Sequence, residues 1–168
     1  ERRFLCRVEQ PDALRAASRR SEIRQGYLTE GEPAVRIRAR DGEYLLTIKA
    51  GRGLVRDEVE VLLDEEKGKK LFEMAGDRQL EKVRYVIDRW EVDVFRGPLE
   101  GLVLAEVELR SPDEPLPPAP AGIALLRDIT DDPRFTNQNL ARLAPDAARR
   151  LVRAVGAEPR LRTGSSEA

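Results

Sequence analysis

The sequence has no histidine and one cysteine, Cys6. Without imidazole there is no Ser-His-Asp triad, no histidine metal ligand and no imidazole base. A lone cysteine excludes an internal disulfide and any cysteine-cluster zinc site. Aromatic residues make up only 5% of the chain, with one tryptophan and one methionine. A net excess of either charge is also missing: 30 Lys+Arg oppose 31 Asp+Glu, for a net charge of -1. That balance argues against a nonspecific nucleic-acid binder, whose footprint is basic, and against an acidic disordered chain. No apolar run approaches the ~20 residues of a membrane helix. The first ten residues are too charged for a secretory signal, so the expected compartment is the cytoplasm. The sequence starts at Glu1 rather than Met, so one or more preceding residues are expected.

What is abundant is charge. Charged residues reach 36% of the 168 positions, against ~25% in an ordinary domain. The chemistry left open is that of carboxylates, Lys, Arg, hydroxyls and a hard metal ion.

The dominant period is two. Val35-Arg36-Ile37-Arg38-Ala39-Arg40 alternates cleanly, as does 55–61 apart from Asp57. With 2–8, 23–29, 43–50, 81–87, 90–95 and 102–109 this predicts eight strands. Asp41-Gly42, Asp88-Arg89, Gly97-Pro98 and Gly51-Arg52-Gly53 mark short connections, so neighbouring strands should be antiparallel. A strand following Gly53 makes that glycine pair a turn rather than a phosphate loop. Helices are fewer: a short one over 11–20, one over 64–75 capped by Asp64 and stopped by Gly76, with Met74 in its core, and a terminal one over 145–155. Residues 111–121 are a proline-rich connection and 156–168 a flexible tail, leaving one domain over 1–155. Cys6, Tyr85 and Trp90 fall on the apolar parity and should pack, the two aromatics against helices.

The other parity is ionic: Glu1 and Arg3; Arg36, Arg38 and Arg40; Lys49; Arg56, Glu58 and Glu60; Lys82 and Arg84; Glu91 and Asp93; Glu106 and Glu108. A solvated outer face laced with salt bridges is the bland explanation. Against it, signs are segregated into Arg-x-Arg and Glu-x-Glu blocks, whereas a face designed only for stability intersperses them. Glu blocks suit Mg²⁺ or Mn²⁺, and Arg/Lys blocks suit phosphate oxygens. A barrel whose interior is this ionic face would be a metal–polyphosphate site, with its apolar parity outward under the helices. Arg36, Arg38, Glu58, Glu60, Glu106 and Glu108 should then point into one cavity.

The same residues resemble the CYTH superfamily, the triphosphate tunnel metalloenzymes. The series runs in family order: Glu1-Arg2-Arg3-Phe4-Leu5, Gln25-Gly26-Tyr27-Leu28, Val35-Arg36-Ile37-Arg38, Leu46-Thr47-Ile48-Lys49, Arg56-x-Glu58-x-Glu60, Glu81-Lys82-Val83-Arg84-Tyr85, Trp90-Glu91-Val92-Asp93-x-Phe95 and Ala105-Glu106-Val107-Glu108-Leu109. Residues 131–140 look like the end of compact bacterial members. The resemblance implies an α+β protein built on an eight-stranded antiparallel β-barrel that forms a tunnel with an ionic interior. It implies metal-dependent hydrolysis of the terminal phosphoanhydride of inorganic triphosphate, with nucleoside triphosphates as further substrates. A class IV type adenylyl cyclase and a non-catalytic polyphosphate- or nucleotide-binding module are the alternatives. Carried over by position, Glu1, Glu58, Glu60, Glu106 and Glu108 are the metal side, holding two Mg²⁺ or Mn²⁺ ions during turnover. Arg3, Arg36, Arg38, Lys49, Arg56, Lys82 and Arg84 are the triphosphate side, and Arg3, Lys49, Lys82 and Asp93 carry the catalytic roles. No nucleic-acid polymer or membrane partner is implied, and the chain is expected to be a monomer or homodimer. Two departures stand out: the first Glu of the family's Glu-x-Glu-x-Lys would precede residue 1, and its Lys is Arg3.

Overall fold

The computed structural model describes residues 1–51 and 57–161. Its centre is one antiparallel sheet of nine strands: β1 (Arg2–Val8), β2 (Arg19–Tyr27), β3 (Ala34–Arg40), β4 (Glu43–Ala50), β5 (Asp57–Leu63), β6 (Gln79–Ile87), β7 (Trp90–Phe95), β8 (Val103–Val107) and β9 (Ile123–Asp128). The strand order is β5-β4-β3-β2-β6-β7-β8-β1-β9. Two meanders thus lie side by side. The first runs β2 to β5, and the helix α1 (Glu65–Ala75) carries the chain back so that β6 pairs with β2. At the β3–β4 hairpin, Asp41 and Gly42 both take positive φ, 49° and 89°, as a primed two-residue turn requires.

The expected eight-stranded barrel is corrected in two respects. The segment Ile123–Asp128 forms a ninth strand, and among the described residues the sheet does not close. β9 pairs with β1 from Phe4 to Val8, across a register shift between Leu5 and Cys6, while β8 takes the other edge of β1. β9 rather than β1 is thus the edge of the sheet, opposite the edge formed by β5. The sheet still curls: residues of β1 and β4, with five strands between them in the order, line one cavity.

The two faces carry separate cores. Phe4, Cys6, Trp90, Val92, Ala105 and Val107 form the outward one, covered by a 3₁₀ turn (Pro11–Ala16) and by the proline-rich connection through Leu116. Trp90 accordingly packs edge-on to Phe4, 5.8 Å between centroids, and its Nε1–H donates to the Pro118 carbonyl at 2.8 Å. The second core lies on the ionic parity, at one end. Here Leu5, Phe95, Leu104 and Leu126 meet Phe135, Leu140 of α2 (Asn137–Ala141) and Ala148 and Val155 of α3 (Pro145–Gly156). α2 and α3 therefore cap the ionic face, whereas the sequence placed the helices under the apolar one.

α1 does cover the outward face of β2–β4. Asp64 caps it, its carboxylate accepting from the Lys67 N–H at 2.8 Å. Phe72 lies edge-on to Tyr44, and Gly68 permits the approach, since a Cβ there would sit 2.1 Å from Tyr44 Cδ1. Met74, expected in the core, is 62% exposed. The tail is also partly fixed: the Leu161 N–H donates to the Leu125 carbonyl at 2.8 Å, and Arg7 donates to the carbonyls of Gly156 and Glu158. Arg56 and the remainder of the tail, 162–168, lie outside the described residues. Among the described residues no helix is long and apolar enough to cross a membrane.

Candidate active site

Period-two alternation sends Arg3, Arg36, Arg38, Lys82, Arg84, Asp93 and Glu106 to one face. What each meets there is set by the strand register. Across β6–β7 and β8–β1 two opposite pairs are ionic. Arg84 faces Asp93 and Arg3 faces Glu106. Asp93 lies under two cations: Oδ2 is 2.6 Å from Lys82 Nζ, and Arg84 donates from Nε and Nη2 at 2.7 and 2.8 Å. Arg84 also pairs with Glu91 and lies 3.6 Å from Glu106. Arg3 Nε stands 3.0 Å from Glu106 Oε1 at an angle that makes no hydrogen bond, and Arg3 Nη2 reaches Glu1 Oε1 at 3.2 Å. Burial alone would raise the Asp93 carboxyl, but the Lys82 ammonium and the Arg84 guanidinium outweigh it and hold the group at about 2. Asp93 is therefore a buried, permanently ionised counter-ion. Lys82 is fully buried and also donates to Asn137 Oδ1 at 3.2 Å.

Across β2, β3 and β4 the opposite partners are neutral. Arg38 faces Gln25, donating from Nε and Nη2 to its Oε1 at 3.0 and 2.9 Å. Arg36 faces Thr47, to which Nη2 donates at 3.2 Å, and its buried Nε has no hydrogen-bond partner. Burial, with Arg36 and Arg84 nearby, lowers the Arg38 guanidinium to about 10. Two half-buried guanidiniums without a carboxylate partner are electrostatically unfavourable until an anion arrives.

These two walls enclose a cavity of about 560 Å³ lined by Glu1, Arg3, Tyr27, Arg36, Thr47 and Lys49, and by Thr130 and Thr136–Asn139 beside α2. Of the expected triphosphate-side cations, Arg3, Arg36 and Lys49 line it. Arg38, Lys82 and Arg84 sit in the hydrogen-bonded layer of the same sheet face. The carboxylates are not gathered as expected. Glu106 is engaged by Arg3 and Arg84. Glu58 pairs with Lys49 at 3.6 Å, and Glu60 accepts from the Thr47 hydroxyl at 3.3 Å, both on the exposed edge strand β5. Glu108 lies one residue beyond β8, its side chain 79% exposed and 3.5 Å from the amino terminus. One cavity shared by all six residues is thus corrected, and among the described residues no three acidic or thiol side chains form a ready-made metal cage.

The sequence reading passed over Gln25, Tyr27, Thr47 and Asn137 as site residues. All are neutral, so a search for charge blocks overlooks them. The available signal for Thr47 was that it shares the parity of Lys49; Gln25 and Tyr27 stand on the parity opposite to Arg20, Glu22 and Arg24 and carried no such mark.

The chain was compared with known proteins. No protein-family model matches it. An inorganic triphosphatase of Nitrosomonas europaea is 34% identical over 155 residues, covering 86% of this chain and 97% of that protein. An inorganic triphosphatase of Acetivibrio thermocellus is 34% identical over 139 residues, covering 78% of this chain and 86% of that one. A crystal structure titled as an inorganic triphosphatase superposes with a TM-score of 0.64 at 32% identity, over 86% of this chain and 97% of that one.

Proposed function

The chain belongs to the inorganic triphosphatase family, and on that premise we propose that it hydrolyses the terminal phosphoanhydride of inorganic triphosphate, accepting nucleoside triphosphates less well. The ordered motif series supports membership of the CYTH superfamily. The observation that carries the reading is the pair Arg36 and Arg38, two half-buried guanidiniums paired only with neutral side chains, on the sheet face whose cavity Arg36 lines together with Arg3 and Lys49.

Phosphoryl transfer is mostly positioning and charge neutralisation. Arg36 and Arg38 would hold phosphate oxygens by charge-assisted hydrogen bonds, Arg36 through its unpartnered Nε. Lys49 and Arg3 would hold the remaining oxygens across the cavity. Lys82 and Asp93 would act beneath the substrate, keeping Arg84 fixed in direction and charge.

A divalent ion fits this donor set in one manner. Mg²⁺ usually takes one or two carboxylates plus substrate phosphate oxygens rather than a protein cage. Glu1 lines the cavity, and Glu58 and Glu60 touch its lining residues Lys49 and Thr47, so these three would hold Mg²⁺ or Mn²⁺. When bound, the ion would supply neutralisation of charge on the phosphate oxygens and Lewis-acid activation.

The test is phosphate release from inorganic triphosphate, ATP and pyrophosphate, with and without Mg²⁺ or Mn²⁺. Metal-dependent release, fastest with inorganic triphosphate, is expected. Cyclic AMP from ATP, or triphosphate binding without turnover, would overturn the proposal.

A further inference from the structure

The helical cap carries a second cavity. It is a groove of about 710 Å³ between α3 and the segment that leads through Pro133 and Arg134 into α2. Its apolar lining is Pro133, Leu143, Ala147 and Leu151. α3 commits Ala148 and Val155 to the core, but α2 is only five residues long. Ala147 and Leu151, one turn apart on α3, stay half-buried beside it, as does Leu143. The charged lining is all of one sign. Arg134, Arg142 and Arg150 come from three separate segments, and among the described residues no carboxylate lines the groove. Arg134 is already neutralised, since its Nε donates to Asp132 at 2.9 Å. Arg149, which does not line the groove, likewise pairs with Asp146 at 2.6 Å. Arg142 and Arg150 do line it, and among the described residues neither guanidinium has a carboxylate or hydrogen-bond partner. An unpaired surface arginine means little alone, because water solvates it. Two of them beside a half-open apolar floor select a ligand that has both an anionic head and an apolar body. The volume falls in the range of small-molecule pockets, ~300–1,000 Å³.

We propose that this groove is a second binding site, distinct from the ionic cavity, for a small amphiphilic anion. Its apolar body would seat on Leu143, Ala147 and Leu151. Its carboxylate or phosphate head would take charge-assisted hydrogen bonds from Arg142 and Arg150. A compact polyanion would leave the floor uncovered, and a neutral apolar ligand would leave both guanidiniums unused. The groove and the ionic cavity share one lining residue, Asn139, whose Nδ2 donates to the Pro133 carbonyl at 2.7 Å. The two sites are thus neighbours with otherwise separate residues. The groove keeps its chemistry whether or not the ionic cavity cleaves triphosphate.

The experiment is calorimetric titration of decanoate and decyl phosphate, below their micelle-forming ranges, with acetate and decanol as head-only and body-only probes. At least one of the two amphiphiles should bind the parent, tenfold or more tightly than acetate or decanol. The double variant Arg142→Gln, Arg150→Gln should lose about tenfold or more in affinity, the scale of a hydrogen bond to a charged group. Both side chains are exposed, so its melting temperature should stay within a few degrees of the parent's. Ala147→Trp fills the groove while leaving every charge in place, and should abolish binding. Arg36→Ala alters only the ionic cavity and should bind like the parent. No binding of either amphiphile to the parent overturns the proposal, as does unchanged affinity in the double variant or in folded Ala147→Trp protein. Decanol binding as tightly as the anions also overturns it, because the head is then not recognised. Affinity lost in Arg36→Ala would put the anion in the ionic cavity instead. Co-sedimentation with phosphatidylglycerol vesicles, without binding of the free amphiphiles, would make the face a membrane contact and equally overturn the site.

Discussion

Replacing Asp93 by Asn tests the buried ionic layer directly. The substitution keeps the shape and deletes the charge. Lys82 is then left fully buried with only neutral amide oxygens at hydrogen-bond distance, while Arg84 retains Glu91 and Glu106. Removing one partner of a buried ion pair costs ~3–5 kcal/mol, because the orphaned charge stays desolvated. For a chain of this size that lowers the melting temperature by roughly 6–20 °C. A second estimate comes from linkage. Asp93 moves from its ordinary 3.8 to about 2, a gap on the order of 2 kcal/mol of stability. Because the folded-state value is depressed, that contribution is fully present above about pH 5 and is lost as pH falls towards 2. The assay is urea unfolding followed by circular dichroism, in phosphate-free buffer so that no anion substitutes for the carboxylate, at neutral pH and between pH 5 and 2. The Asp93→Asn protein should be destabilised at neutral pH, and this part of its acid sensitivity should disappear. Adding Lys82→Met should restore part of the loss by removing the orphan cation. A change below about 1 kcal/mol, or no recovery in the double variant, would refute the reasoning.

Arg38→Ala should weaken triphosphate binding by ~1.5–3 kcal/mol, read as a rise in KM, with little loss of folding stability, since the guanidinium has no carboxylate partner to leave behind. Gly68→Ala should cost ~1–3 kcal/mol in urea unfolding, because the added methyl collides with the Tyr44 ring and lifts α1 from the sheet. Cys6 is buried, and desolvation pushes its thiol up to about 12, so it should resist alkylation at pH 8 until the protein is unfolded in urea.

Strands whose two faces differ in chemistry were legible. β1, β4 and β7 fall where alternation of apolar and ionic residues places them, and α1 begins at the cap that Asp64 supplies. β9 was not legible, because Ile123-Ala124-Leu125-Leu126 is buried on both faces, has no alternation, and follows a proline-rich stretch. α2 is five residues long, too short to show a helical period. Missing β9 also misplaced the edge of the sheet, since β9 and not β1 is the last strand. At the site, the parity of Arg3, Arg36 and Lys49 was enough to bring them to one cavity. It was not enough for Glu108, because parity directs a side chain only while the strand lasts, and β8 ends at Val107.

The same alternation yields two different electrostatic environments, and register decides which. On β6 and β1 the residue directly opposite an arginine is a carboxylate, Asp93 for Arg84 and Glu106 for Arg3. Those cations arrive neutralised and can hold geometry, but they have little unspent charge to offer an incoming anion. On β3 the residues opposite are Gln25 and Thr47, which accept a hydrogen bond without cancelling charge. Arg36 and Arg38 are thereby oriented as firmly as their neighbours while keeping their full charge. A slip of one residue between β2 and β3 would turn the whole cationic set to the opposite face. The neutral partners are thus as informative as the charged ones: on the proposed reading anion affinity falls to β3, because Asp93 and Glu106 are committed to the cations of β6 and β1.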